Sequence, residues 1–460
     1  MTARVPAPAA STPPATAPAA TTPEEAATAY GTPLYLYDLD VVAAAHADLV
    51  AALPEGAVIH YSLKANPHTE VAGTLAALGC RAEVSSTGEL DAALAAGFHP
   101  ADVTYSGPAK TAAEIATALR AGVTRFSVES VRDLEVLEEL ADLADPAESA
   151  ESAGPGDPAG PGGVIECLLR INADRPVPGM GLAMAGVSTK FGVDFARVLA
   201  TPEAFRDRGR VRITGLHLYM GTNLPTEDVL LGQFEAGLAM CGELAAALGR
   251  DFAELDLGGG FGTPYAGPGE RPAYPGLRAG LEKLLDLHVP TWRTGGPAVS
   301  FESGRYLVGS CGTLVTTVVD VKESKGQRYA LVDSGIHHLG GLAGLRRLPP
   351  LRPGLLRLSG GGDPAVGREA GPDAGPVTVA GPLCTPLDQW GSSSDLPPLR
   401  AGDLLAVPNT GAYGLTASLV GFLGYPAPVE VVTGSGRPTT ATRAVLTRVP
   451  VERTPHHDHA

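Results

Sequence analysis

The feature that most limits what this chain can fold into is an alternation repeated eight times. Short β-rich runs lie at Val58–Ala65, Arg81–Ser86, Val103–Gly107, Arg125–Glu129, Glu166–Asn172, Ile213–Gly221, Glu254–Gly260 and Ala298–Gly304. The segments between them include Glu70–Leu78, Gly88–Ala96, Ala112–Ala121, Val131–Leu143, Phe195–Arg208, Asp228–Leu248 and Leu277–Leu287, all with helical periodicity, and a helix at Val41–Leu53 leads in. Several open on a capping pair, in which a hydroxyl and an acid three residues later satisfy backbone donors: Ser86 with Glu89, Thr111 with Glu114, Ser130 with Asp133. Strands joined through helices run parallel, and eight of them predict a (β/α)₈ barrel over residues 39–304 rather than an open doubly wound sheet.

After Gly304 the pattern changes. Apolar runs at Gly312–Val321, Tyr329–Asp333, Val377–Ala380, Asp403–Val407 and Val429–Thr433 are separated by turns with little helical sequence, which predicts a mostly antiparallel β-domain over 305–450. The early run Pro33–Tyr37, within 31–38, is expected to pair with it. At 460 residues and 44% apolar content the chain can bury two such cores. Residues 1–30, rich in Ala, Pro and Thr, read as a disordered tail, 451–460 as a polar tail, and Pro146–Gly163 and Ser359–Pro376 as surface insertions.

A formal net charge of −16 argues against nucleic acid or an anionic membrane as partner. The uncharged stretch Leu404–Pro428 is long enough to suggest a span, but Pro408, Gly411, Gly414, Gly421 and Pro426 interrupt it, so no membrane segment is expected. Cys80, Cys167, Cys241, Cys311 and Cys384 are odd in number and widely spaced, without metal-ligand or disulfide spacing, which fits a reducing cytoplasm. His337 and His338 lack a third ligand at useful spacing, so no metal is expected.

Active sites of such barrels gather at the C-terminal ends of the strands. The residues there form one chemical set: Lys64, Ser86, Ser106, Arg170, Tyr219 with Thr222, the run Gly258-Gly259-Gly260, and Glu302. Burying an ammonium is costly and depresses its pKa, so a lysine at a strand end suggests a nucleophilic amine; a snorkelling surface lysine is the bland alternative. GGGFG after the seventh strand offers backbone N–H groups where a barrel commonly holds phosphate, or else a tight turn. Glu302 in ESGR can face a pyridine nitrogen and keep it protonated, or simply pair with Arg305. In the β-domain, Cys384 and Asp388 in GPLCTPLD read as an exposed catalytic loop, with a small core cysteine as the alternative, and Tyr413 lies in NTGAYG.

The ordered series YSLKAN, SSTGEL, KFGVD, HLYMGT, LGGGFG, ESGRYL, CTPLD and GAYG, spanning about Thr32 to Val449, resembles the fold type III pyridoxal-phosphate (PLP) decarboxylases of the ornithine and diaminopimelate group. The resemblance implies a barrel plus β-domain, PLP carried on Lys64, and a homodimer whose active sites draw on both chains. Glu302 then resembles the partner of the pyridine nitrogen. Thr222, Gly259, Gly260, Gly304, Arg305 and Tyr413 match phosphate-contacting positions, and Arg170 matches an arginine that supports the cofactor face. Cys384 matches a proton donor contributed by the second subunit, and Asp388 the acid that closes its loop.

The departures carry information. HLYMGT puts Tyr219 where most members have a ring-stacking histidine and leaves His217 two residues earlier; ESGR has Ser303 for proline. Thr385 replaces the glutamate by which diaminopimelate decarboxylases meet the distal ammonium of their substrate, and DSGIHHLGGLAG shows no carboxylate-binding arginine. YMGT, ESGRYL, GPLCTPLD and TGAYGL look closest to the branch with the glutamyl-carrier-protein decarboxylase and the exosortase-associated enzymes. The expected activity is α-decarboxylation of an amino acid, free or tethered to a carrier protein, in specialised biosynthesis. Diaminopimelate decarboxylation, amino-acid racemisation and non-catalytic PLP carriage are the alternatives.

Overall fold

The computed structural model describes residues 22–141, 163–174, 186–224, 226–342, 351–358, 375–393 and 396–450. Both expected insertions and both tails fall mainly outside these residues, but the tail expected to reach residue 30 ends sooner. Pro23–Tyr30 is a helix, α1, opened by a complete capping box between Thr22 and Glu25, and its Ala26 is buried against Leu34, Val315 and Val431. Its alanine-rich composition concealed the cap.

The chain continues through β1 (Leu34–Asp38) and α2 (Leu39–Ala52) into the barrel. The barrel strands are β2 (Val58–Ser62), β3 (Arg81–Val84), β4 (Val103–Tyr105), β5 (Arg125–Val128) and β6 (Ile165–Asn172), then, past a two-residue β7 (Val193–Asp194), β8 (Val211–His217), β9 (Glu254–Asp256) and β10 (Ala298–Ser303). All pair in parallel, and β2 against β10 together with β5 against β6 close the ring of eight. Between them run α3 (Thr69–Ala77), α4 (Thr87–Ala95), α5 (Ala112–Arg120), α6 (Val131–Ala141), α7 (Phe195–Ala200), α8 (Glu227–Leu248) and α9 (Leu277–His288). The expected helix Phe195–Arg208 stops at Ala200, because Pro202 lacks an amide proton and biases Thr201 out of the helical region. The α8 helix is long and apolar enough to cross a membrane, but it packs on the barrel wall against α9 and buries Leu230, Phe234, Leu238 and Leu244.

Beyond the short α10 (Arg305–Val308) lies a nine-stranded sheet. It contains β11 (Gly312–Ser324), β12 (Gln327–Val332), β13 (Leu356–Arg357), β14 (Val377–Ala380), β15 (Gln389–Ser393), β16 (Leu404–Val407), β17 (Val429–Thr433) and β18 (Thr440–Thr442). β1 completes it, antiparallel to β11 and parallel to β17, so the early run does return to this domain. The sheet is mostly antiparallel, β12–β14 being its other parallel pair.

β2, β3, β4, β8 and β9 end two to four residues before their apolar runs suggested, β5 and β10 one residue before, and β6 ends at Asn172 as expected. Lys64, Tyr219, Thr222 and Gly258–Gly260 therefore sit in the loops at the strand mouths, where backbone can turn inward, while Arg170 and Glu302 lie near the ends of β6 and β10.

Candidate active site

Lys64 occupies a single 3₁₀ turn, Leu63–Ala65, that follows β2. Leu63 and Ala65 are buried and pin the turn, while the Lys64 side chain, 41% exposed, reaches across to β3. There Glu83, itself buried, accepts from the Lys64 amine at 2.8 and 3.1 Å and from the Ser106 hydroxyl. Packing around the amine disfavours its charged form, but Glu83, then Glu302, outweigh it and hold the pKa above the ordinary lysine range. The expectation of a depressed pKa is thus overturned: a carboxylate stands beside the amine. The β-domain closes on the same turn, since Tyr413 N donates to Ala65 O at 2.8 Å and Asn66 Nδ2 to Gly411 O at 2.9 Å.

Glu302, at the end of β10, is 4% exposed. Burial alone raises a carboxyl pKa, but His217, followed by Lys64 and Arg170, holds Glu302 well below the usual range. His217 Nε2 lies 3.3 Å from Glu302 Oε1, and its Nδ1 lies 2.7 Å from the Ser127 hydroxyl. Asp256 completes the group; burial and the nearby Glu302 push its carboxyl up to about 6. His217, Asp256 and Glu302 bring ligand atoms within 4.8 Å of one another, yet Asp256 already accepts from Gly258 N and His217 is engaged by Ser127.

The glycine run is shaped by close approach. A Cβ on Gly259 would stand 2.2 Å from Glu302 O, one on Gly258 would meet Tyr219, and one on Gly260 would meet Gln233 Nε2 and Gly221 O. Gly258 also has φ +70°, and its N–H is spent on Asp256, which removes it from the expected set of phosphate donors. The N–H groups of Gly259 and Gly260 take no acceptor among the described residues.

Arg170 is buried at the end of β6 and ion-pairs with Glu129 at 2.9 Å; Glu129 also accepts from Gly192 N. Its guanidinium lies 4.8 Å from the Phe191 ring centre and 5.6 Å from that of Tyr219. Tyr219 therefore stands between Arg170 and the glycine run. Its hydroxyl pKa is raised by burial, against the lowering effect of Lys64 and a hydrogen bond with Thr222.

Gly304 allows α10 to approach the lysine turn, since a Cβ there would be 2.8 Å from Ala65 Cβ. This brings Arg305 beside Tyr413, whose ring centre is 4.7 Å from the guanidinium, and Arg305 Nε is buried with no protein partner. Tyr413 itself has φ +63°, a conformation that costs a non-glycine residue energy and is held here by its bond to Ala65. Ser303 Oγ, where the family has proline, is likewise buried without a partner.

Two assignments change. Ser86, expected at the cofactor, caps α4 by accepting from Glu89 N at 3.2 Å. Asp388, expected among the catalytic residues, is buried, and its two oxygens accept from Ile336 N at 2.9 Å and Leu383 N at 2.8 Å. It anchors the loop that presents Cys384, which is exposed while the other four cysteines are buried. Sequence reading missed Glu83, Ser127, Glu129 and Asp256 and left His217 without a role. The available signal was charge and hydroxyl groups within otherwise apolar strands, where burial demands partners.

These donors suit a phosphorylated pyridine aldehyde: an amine, an ionised buried carboxylate, an orphaned guanidinium nitrogen and free backbone N–H groups. Comparison with known proteins agrees. Residues 39–309 match the family described as pyridoxal-dependent decarboxylase, pyridoxal binding domain. The chain is 32% identical to the L-glutamyl-[BtrI acyl-carrier protein] decarboxylase of Niallia circulans, over 92% of this chain and 95% of that one. It is 30% identical to the diaminopimelate decarboxylase of Pseudomonas aeruginosa, over 85% of each. The diaminopimelate decarboxylase of Helicobacter pylori, solved with L-lysine, superposes with a TM-score of 0.73 over 91% of this chain and 95% of that one at 24% identity, a likeness of fold.

Proposed function

Because this chain belongs to the pyridoxal-dependent decarboxylases, with PLP as cofactor, we propose that it removes the α-carboxylate of an amino-acid substrate presented on a carrier protein, at a site shared between two copies of the chain. The observation that carries the reading is the Lys64 amine at the barrel mouth, set between Glu83 and the ionised, buried Glu302.

PLP, when bound, supplies an electron sink for the pair of electrons left as CO₂ departs. Lys64 is the residue that attaches it. Glu302 would accept a hydrogen bond from the ring nitrogen and keep that nitrogen protonated. Arg305 and the N–H groups of Gly259 and Gly260 would hold the phosphate, with Thr222 and Tyr413 alongside. Tyr219, backed by Arg170, would cover one ring face. Cys384 of a second copy returns a proton to the substrate Cα.

Exposure of Cys384 on its Asp388-anchored loop supports that last role, since the group is offered outward. Leu387, Phe422, Leu423 and Tyr425 are exposed as well, with Tyr425 bonded to Pro382 O, an apolar surface suited to a second copy. Five unpaired cysteines suit a reducing compartment such as the cytoplasm.

The carrier-linked substrate rests on likeness to the Niallia enzyme over nearly the whole chain, and on Thr385 at the position of a glutamate that would meet a free distal ammonium. Diaminopimelate decarboxylation is the second reading, favoured by 30% identity to the Pseudomonas enzyme. CO₂ release from carrier-linked glutamate, free glutamate and diaminopimelate separates them. The proposal expects release from the carrier-linked substrate; release from free diaminopimelate alone would favour the second reading.

A further inference from the structure

Ser127, His217, Asp256 and Glu302 form a buried row across β5, β8, β9 and β10, and only Glu302 has a part in the reaction above. We propose that His217 is a positioning residue for that reaction: its ring, protonated on both nitrogens, held through Nδ1 by the Ser127 hydroxyl and in ion-pair contact with Glu302 Oε1, keeps Glu302 ionised and leaves Oε2 to the cofactor ring nitrogen. The inference rests on the proposed role of Glu302.

The geometry comes first. Nδ1 is hydrogen-bonded to Ser127 Oγ at 2.7 Å, and Nε2, buried without a hydrogen-bond partner, lies 3.3 Å from Glu302 Oε1, within ion-pair distance. Imidazole and hydroxyl are 2% and 0% exposed, and the ring has no room to turn to solvent. Ser127 can serve either a neutral or a charged ring, as acceptor or donor. Charge decides between them.

The groups that face this ring are Glu302 on β10, Asp256 on β9, Arg170 on β6 and Ser127 on β5. His60 on β2 bears on Asp256, and Lys64 bears on Glu302 from the turn after β2. Arg170 is already paired with Glu129, and the Lys64 amine is the group committed to the cofactor. His217 is then the cation that stays beside Glu302. Burial and Arg170 oppose its charge, but Glu302 prevails and raises its pKa. Without a positive neighbour, a carboxylate this buried takes up a proton, and a protonated carboxyl no longer holds a proton on the ring nitrogen.

The test begins on cofactor-free protein labelled with ¹⁵N-histidine, so that it does not depend on turnover. The signal lost in H217Q should show both ring nitrogens protonated well above the ordinary histidine pKa of about 6.5. In E302Q, with burial and Arg170 unopposed by Glu302, that signal should show protonation lost below the ordinary histidine range. A neutral His217 ring at pH 7, or one unchanged in E302Q, overturns the proposal.

On the loaded enzyme, H217Q and the milder S127A should still attach the cofactor at Lys64. H217Q should lose about 10- to 100-fold in kcat with little change in KM, the range of a lost interaction with a charged partner. The pyridine-¹⁵N shift of labelled PLP should report a deprotonated ring nitrogen in H217Q. A protonated ring nitrogen there also overturns the proposal. Failure of wild-type protein to attach the cofactor at Lys64 would instead sink the functional reading, leaving the histidine signal as a separate result.

Discussion

At the scale of single residues, the chemistry is set by which charges are left beside which. Glu83 stabilises the ammonium of Lys64, so replacing it with glutamine removes the first of the two carboxylates that raise that pKa. The amine is then free at lower pH, and the rate of PLP attachment to Glu83→Gln should rise at a lower pH than in wild type; an unshifted profile would remove Glu83 from this role. Cys384 lies outside the cofactor cradle. Cys384→Ala should therefore leave attachment at Lys64 intact while turnover falls by about 10² or more, the size of a lost general acid. Equal loss of attachment and turnover would contradict a proton-donor role. Lys64, Glu302 and Arg305 were legible because each is a polar group at the end of an apolar run. Glu83 and Ser127 were not, because each needs the barrel register to bring it to a partner 19 or 90 residues away.

At the scale of elements, the eightfold alternation was readable because buried parallel strands demand apolar runs and their crossover helices demand 3.6-residue periodicity. The strands missed, Val193–Asp194, Leu356–Arg357, Gln389–Ser393 and Thr440–Thr442, are short and at or near sheet edges, so pairing rather than side-chain pattern defines them. Where caps were read, energetics follow: Thr111 and Glu114 form a full box on α5, and Thr111→Ala should cost about 1 kcal/mol in urea unfolding. The Gly258–Gly260 loop was legible as a loop, but not the contact with Glu302 O that forbids a side chain at Gly259. Gly259→Ala should displace β10 from the loop and weaken PLP retention; wild-type retention would show that the contact relaxes freely.

At the scale of the whole molecule, two buried imidazoles in the β-domain set the response to acid. His337 and His338 lie with ring centres 3.5 Å apart and are at most 1% exposed, and burial holds their pKa values down to about 4 and about 3. Folded values below the unfolded value mean that protons favour the unfolded chain. The contribution of these two rings to stability is full above about pH 6.5 and is lost as pH falls toward 4 and 3. For His337 the loss by pH 5 is about 2 kcal/mol. His337→Phe should reduce the drop in urea-unfolding free energy between pH 7 and pH 5; an unchanged drop would place the acid-sensitive groups elsewhere. The two-domain plan was visible in the switch from helical crossovers to bare turns after Gly304. The docking of the Tyr413 loop on the lysine turn was not, since it joins residues almost 350 apart. Every functional statement returns to that turn, and the most direct measurement is borohydride reduction of the PLP-loaded protein followed by peptide mass mapping. The account predicts one reduced pyridoxyl adduct, on Lys64; an adduct on another lysine, or none, would contradict it.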